Sequence, residues 1–244
     1  MKKILIIKHG SLGDIISATS VVKDIRTHFE KDKIFILTTS KFKNFFLDSN
    51  LINEVIIDNR KGLLSIISAI NKILKYNFDL IIDLQNSQRT SIYIFFIRFL
   101  KKIEINGTTF FCTVKYKNQS NFLPNVIDGL SNQVELLKIK TRRKPYLDWL
   151  NNTSIKVKNI DKKKYILINP GCSNKNIQKR WPSENYANIC SYLIKKNILP
   201  VLIGSNEDAK VINEIIKIEE KVLNLINESP LGIIYKLSQD AIGA

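Results

Sequence analysis

The sequence predicts an α/β protein of two doubly wound parallel-sheet domains in tandem, the second incomplete. Three observations predict this. Short apolar runs bounded by polar residues alternate with segments whose apolar residues recur at helical spacing. The alternation lapses over a stretch rich in Asn and Lys and then restarts. Both halves open alike, with a buried run, a glycine-containing turn and the start of a helix. The expected organisation is a first domain over 1–150, a linker at 151–162 and a second domain over 163–244.

The elements follow in order. Lys3-Ile4-Leu5-Ile6-Ile7 is an apolar run bounded by Lys, the pattern of a strand buried on both faces. Gly10 and Gly13 flank a tight turn, and Asp14 stands where a helix over 14–29 begins. Strands at 33–38, 54–58, 79–84 and 103–105 then alternate with helices at 42–47, 62–75 and 88–101. Residues 108–123 have no clear period, and 126–140 reads as a helix with Gly129 inside it. Beyond the linker, strands at 165–168, 200–203 and 222–225 alternate with helices at 183–196, 207–220 and from 231. Right-handed crossovers between parallel strands follow from this order.

The composition of the 244 residues, 44% hydrophobic and 25% charged, is that of a globular chain with ample core. A formal net charge of +16 attracts anions: nucleic acid, phosphorylated sugars or an anionic membrane. Cys112, Cys172 and Cys190 are few and widely spaced, which argues against a disulfide framework and for a reducing, cytoplasmic setting. No metal-ligand spacing occurs, and His9 and His28 have no partners in sequence. No apolar stretch approaches the ~18 residues of a membrane span, so any membrane contact is expected to be peripheral. The most apolar patch, residues 92–97, lies between Arg89 and Arg98 and reads as a buried helix.

Two places carry the chemistry. In an open α/β sheet, ligands bind beyond the carboxyl ends of the strands, and Asp14 is aimed at that edge. The same carboxylate also suits a helix N-terminus, where it is worth about 0.3–1 kcal/mol. In the second half, the Asn169-Pro170-Gly171-Cys172-Ser173 loop precedes Lys175, Lys179 and Arg180. Small residues let backbone N–H groups approach an anion, and the basic residues beside them suit a diphosphate. The alternative is a plain strand-to-helix loop with solvated charges and Ser183 as N-cap.

Four motifs stand in register: Lys8-His9-Gly10-Ser11-Leu12-Gly13-Asp14-Ile15, Asp79-Leu80-Ile81-Ile82-Asp83-Leu84-Gln85, Asn169-Pro170-Gly171-Cys172-Ser173 and Lys179-Arg180-Trp181-Pro182. Together they resemble glycosyltransferase family 9, the ADP-heptose:lipopolysaccharide heptosyltransferases. The resemblance implies the GT-B fold, two Rossmann-like domains facing a cleft with the acceptor on the first and the nucleotide sugar on the second. It further implies inverting transfer without metal or cofactor, from a nucleotide-sugar donor, ADP-linked, to an anionic lipid-linked saccharide of the lipopolysaccharide inner core. The expected setting is a monomer peripheral to the cytoplasmic face of the inner membrane, with no nucleic-acid partner.

Carried over by position, Asp14 matches the general base, and Lys179 the phosphate-binding lysine. Ser173 and Gly171 match the phosphate loop, and Glu207 a ribose-binding acid. Gly13, Gln85, Arg60 and Arg89 fall on the acceptor side. The family pattern continues beyond Ala244 into a further donor loop, so the sequence reads as C-terminally truncated. The competing expectations are an inactive glycosyltransferase fragment and a basic, non-catalytic protein that binds anionic membrane or nucleic acid. A dinucleotide-dependent oxidoreductase ranks lower, because Gly10 and Gly13 lack the first spacing of Gly-x-Gly-x-x-Gly.

Overall fold

The computed structural model describes residues 1–118, 124–152, 160, 163–172 and 174–244. The chain divides into two units, Met1–Leu147 and Asp148–Ala244. Most of the expected linker, 151–162, lies outside the described residues.

The first unit is built on β1 (Lys3–Ile7), whose Ile4, Leu5, Ile6 and Ile7 are fully buried. Each such side chain contributes about 1.5–3 kcal/mol by burial, so a strand of this composition is stable only with cover on both faces. It pairs in parallel with β2 (Lys33–Thr38) and β4 (Leu80–Asp83). The sheet is completed by β3 (Glu54–Ile57), β5 (Glu104–Gly107) and β6 (Val114–Lys115), in the order β3-β2-β1-β4-β5-β6. The order reverses between β1 and β4, so the loops leaving these two strands border the topological switch point.

Around the sheet lie α1 (Leu12–His28), short α2 (Lys43–Asp48), α3 (Leu64–Tyr76), α4 (Gln88–Leu100) and α5 (Val126–Glu135). α1 packs on α5, and α3 on α4. One core joins Leu5, Ile7 and Leu37 of the strands to Ile70 and Ile73 of α3 and Ile94 of α4. Two expectations are corrected. β6 forms inside the stretch that shows no period. Residues 92–97 are not a buried helix: Tyr93, Ile94 and Ile97 face the core, whereas Ile92, Phe95 and Phe96 are 40–45% exposed.

In the second unit, β7 (Tyr165–Ile168), β8 (Leu199–Leu202) and β9 (Leu223–Asn224) form a parallel sheet. Helices α6 (Ser183–Lys195) and α7 (Ala209–Ile218) pack together around Ala187, Cys190, Leu202 and Ile212. α8 (Leu231–Asp240) packs Ile233 and Leu237 against Tyr165, Leu167 and Val201. The outer edge of β7 is met by the chain: Ile242 N donates to Tyr165 O at 3.0 Å and Leu167 N to Gly243 O at 3.1 Å.

Candidate functional site

The exit from β1 is shaped by one glycine. Gly10 has φ +121°, and a Cβ there would lie 2.7 Å from Asp14 Oδ2, so both backbone and space call for glycine. Gly13, expected to flank the turn, lies in the first turn of α1, and a Cβ there would come no closer than 3.9 Å to Ser11 Oγ. Ser11 is the N-cap of α1. Its N–H and its hydroxyl each donate to Asp14 Oδ2 at 2.8 Å, and its Oγ accepts from Asp14 N at 3.4 Å, a capping box. Partial burial would raise the Asp14 pKa, but the Ser11 side-chain and backbone hydrogen bonds and the Lys8 charge outweigh it, and the carboxyl is held below its ordinary value. Both bonds fall on Oδ2. Asp14 thus presents an ionised, half-exposed carboxylate at the switch point with Oδ1 unengaged among the described residues.

The exit from β4 fixes this turn. The Gln85 side chain accepts from His9 N at 2.9 Å, and Lys8 Nζ donates to Leu84 O at 3.1 Å. Gln85, expected to line the acceptor side, clamps the two loops together. Asp83 is buried and accepts from Gln85 N at 3.0 Å and Asn86 N at 3.1 Å. Burial pushes its pKa up to about 6 against the pull of Thr90, Asn86, Gln85 and Lys8.

A third cluster sits at the exit of β3 and gathers the expected Arg60 and Arg89 around Asp58, which was not among the expected site residues. Asp58 is buried and accepts from Tyr93 OH at 2.6 Å, Arg60 N at 2.9 Å and Arg89 Nη2 at 3.2 Å. Burial would raise its pKa, but those three donors hold it below the usual carboxylate range. Arg89 also donates to Ser65 Oγ at 2.6 Å and to the Tyr93 hydroxyl. It is thereby engaged within the fold, while Arg60, at φ +57°, is exposed. His9 is 1% exposed, with Nε2 3.5 Å from Asp58 Oδ2, and neither ring nitrogen makes a hydrogen bond among the described residues. Burial lowers its pKa to about 4 despite the Asp58 charge. The available signal was a carboxylate at the end of a strand, Asp58 after β3, as Asp83 ends β4.

In the second unit, Gly171 lies against the carboxylate of Asp208: a Cβ there would come within 2.2 Å of Oδ1. Asp208 Oδ2 accepts from Ser205 N and Oγ, each at 3.1 Å, while Oδ1 lies 3.5 Å from Arg180 Nη2. Arg180 Nη2 also reaches Cys172 O at 3.4 Å. The acid built into the loop is thus Asp208, whereas its expected neighbour Glu207 is exposed. Lys179 ends a 3-10 turn over Asn174–Lys179, exposed and without a carboxylate partner among the described residues. Ser173 lies outside the described residues. Ser183 is not the N-cap of α6; Pro182 takes that position with no side-chain bond. An open groove of about 490 Å³ follows, lined by Arg180, Trp181, Ser183, Lys210 and Glu214 among others.

Among the described residues no group of His, Cys, Asp or Glu is placed to hold a metal ion, and no helix is long and apolar enough to cross a membrane. A six-stranded and a three-stranded parallel α/β unit, with polar loops at the strand ends, place the chain in the GT-B class. It belongs to glycosyltransferase family 9 (heptosyltransferase), whose sequence model matches residues 66–238. The match includes Gln85, Arg89, Gly171, Ser173, Lys179 and Glu207, but begins after Gly13, Asp14 and Arg60.

Solved structures with this fold include a family 9 glycosyltransferase from Veillonella parvula DSM 2008, at 21% identity and TM-score 0.75 over 98% of this chain and 73% of that one. E. coli heptosyltransferase WaaC with ADP-2-deoxy-2-fluoro heptose matches at 14% identity and TM-score 0.70, over 98% of this chain and 80% of that one. E. coli ADP-heptose lps heptosyltransferase II matches at 17% identity and TM-score 0.67, over 98% and 77% respectively. No curated relative matches the sequence.

Proposed function

We propose that this chain is an inverting glycosyltransferase that moves heptose, or a related sugar, from an ADP-linked donor to an anionic, lipid-linked saccharide of the lipopolysaccharide inner core. Asp14 acts as general base. As the acceptor oxygen bonds to the anomeric carbon, its proton passes to the Asp14 carboxylate and the bond to the diphosphate breaks. Lys179 stabilises the charge that develops on the departing diphosphate, so no proton donor is required there. Gly171 allows the loop to approach the phosphates. Gln85 and Arg60 face the acceptor, and Arg89 orders the β3 exit through Asp58. The reaction calls for no metal or cofactor, and it takes place at the cytoplasmic face of the membrane that carries the acceptor.

The observation that carries this reading is the Asp14 carboxylate, ionised by its Ser11 bonds and Lys8, with one oxygen unengaged. The donor assignment is tested by thermal shift with ADP, UDP, GDP and TDP sugars. A ligand at 100 times its Kd stabilises the native state by about 2.7 kcal/mol. An ADP sugar should give the largest shift. A larger shift with another base would overturn the ADP assignment, and none with any of them the donor site.

A further inference from the structure

The outer faces of α3 and α4 are unusually apolar for surfaces without cover. On α4, Phe99 is 83% exposed and Leu100 58%, next to the exposed Phe95 and Phe96. The segment after β5 adds Phe110, 81% exposed, and Phe111, whose ring stands edge-on to Phe95 with centroids 4.9 Å apart. Leu64 and Ile67 of α3 are also exposed and line an open groove of about 460 Å³ that ends at Lys72 and Lys75. Apolar area of this extent marks an interaction surface.

Its surroundings are cationic. Residues 59–78 contain Arg60, Lys61, Lys72 and Lys75 and no Asp or Glu. Residues 84–118 contain Arg89, Arg98, Lys101, Lys102, Lys115 and Lys117 against Glu104 alone. Lys115 Nζ lies 5.4 Å from the centroid of the Phe110 ring, an aromatic side chain with a cation at its rim.

We propose that the α3–α4 face, with Phe110 and Phe111, is the surface by which this chain docks on an anionic lipid bilayer. The rings enter the headgroup boundary, and the long cationic side chains meet lipid phosphates around them. Charge selects this occupant over a second copy. A two-fold self-contact sets a patch against itself, and here that would bring cations together with almost no carboxylates to meet them. The aliphatic Leu63, Leu64, Ile67 and Leu100 have no ring to stack on a base, which favours lipid over single-stranded nucleic acid. The proposal deepens the lipid-linked-acceptor reading, but it rests on the surface rather than on Asp14 or Lys179.

The test is flotation of the full chain with vesicles of phosphatidylglycerol and phosphatidylethanolamine, beside vesicles of phosphatidylcholine alone. Binding to the anionic vesicles and its loss at high salt are expected. Each cation near such a surface contributes about fivefold, so Arg98→Gln with Lys102→Gln should weaken binding about 25-fold. Phe99→Ser and Phe110→Ser should each cost about tenfold and leave thermal stability unchanged, because both rings are already exposed. Asp14→Asn and Lys179→Ala should leave flotation unchanged, so failure of the transfer reading and failure of this one are read separately. No binding to anionic vesicles, or equal binding by the Phe variants, would overturn the proposal. So would a dimer in sedimentation that Phe99→Ser abolishes, or an oligonucleotide that binds through Phe99 and Phe110 more tightly than the vesicles do.

Discussion

The strand ends of the two units handle charge in opposite ways. In the first unit the edge is tied together by hydrogen bonds: Ser11 with Asp14, Gln85 with His9 N, and Asp58 with Arg89, Tyr93 and Arg60 N. In the second, Asp208 braces the loop at Gly171, while Lys179 is exposed with no carboxylate opposite among the described residues. A base must be held in one geometry to accept a proton from a particular hydroxyl. A diphosphate brings its own charge, so the group that meets it is best left unpaired. On the proposal that Asp14 is the base and Lys179 meets the diphosphate, the first edge is organised before the substrate arrives and the second is completed by it.

The sharpest way to break this comparison is Asp14→Asn. Asn keeps an acceptor for the Ser11 donors, so α1 should stay capped and stability should change by less than about 1 kcal/mol. Turnover should nevertheless fall by roughly 10²–10⁴-fold, with donor affinity retained, in a sugar-transfer assay paired with ADP titration. Retained turnover would leave Asp14 only the capping role that its bonds already demonstrate.

Next in size is Asp58→Ala. Removing one partner of a buried pair leaves the other uncompensated, here Arg89 with Tyr93, and should cost about 3 kcal/mol in chemical denaturation. Asp208→Ala should cost clearly less, since Arg180 stands 3.5 Å from it and both side chains keep some solvent. Equal costs would erase the contrast between a closed edge and an open one.

Lys179→Ala sharpens the open side. An exposed lysine without a partner should change stability by no more than about 0.5 kcal/mol. A lost charge-assisted bond to phosphate should still weaken ADP binding about tenfold or more, measured by calorimetry. An unchanged affinity would move the diphosphate away from this turn, with Arg180 the next group to substitute.

What the sequence made legible follows the same division. Strands buried on both faces stand out as aliphatic runs, so β1 to β5 and β7 to β9 were readable to within a residue or two. β6 has two residues, too few to show a period. Residues 92–97 are apolar all round, and periodicity cannot tell a helix buried on every side from one with an apolar face left open. Asp14 and Lys179 stand out in the sequence because local motifs carry them. The joining of His9, Asp58 and Arg89 was not legible, since only the parallel register of β1, β2 and β3 and the start of α4 bring them together. The closeness of the Asp208 carboxylate to Gly171 is a tertiary fact that no local motif shows.

The smallest expected effect concerns two buried groups of the closed edge that titrate against each other. His9 has a folded pKa of about 4, below its ordinary 6.5. Between those values the unfolded chain binds the extra proton, so the His9 contribution to stability rises as pH rises. Asp83 has a folded pKa of about 6, above its ordinary 3.8. Between those values it is the folded chain that binds the extra proton, so the Asp83 contribution falls as pH rises. The windows overlap from about 4 to 6, and in the native sequence the two slopes oppose each other. Asp83→Asn should leave the His9 slope exposed, with the denaturation midpoint climbing from pH 4.5 to 6 more steeply than in the native chain. His9→Gln should do the reverse and flatten or invert that climb. If neither variant changes the slope, the two groups are not held as buried, mutually opposed titrants, and the closed character of the first edge rests on the bonds of Asp14, Gln85 and Asp58.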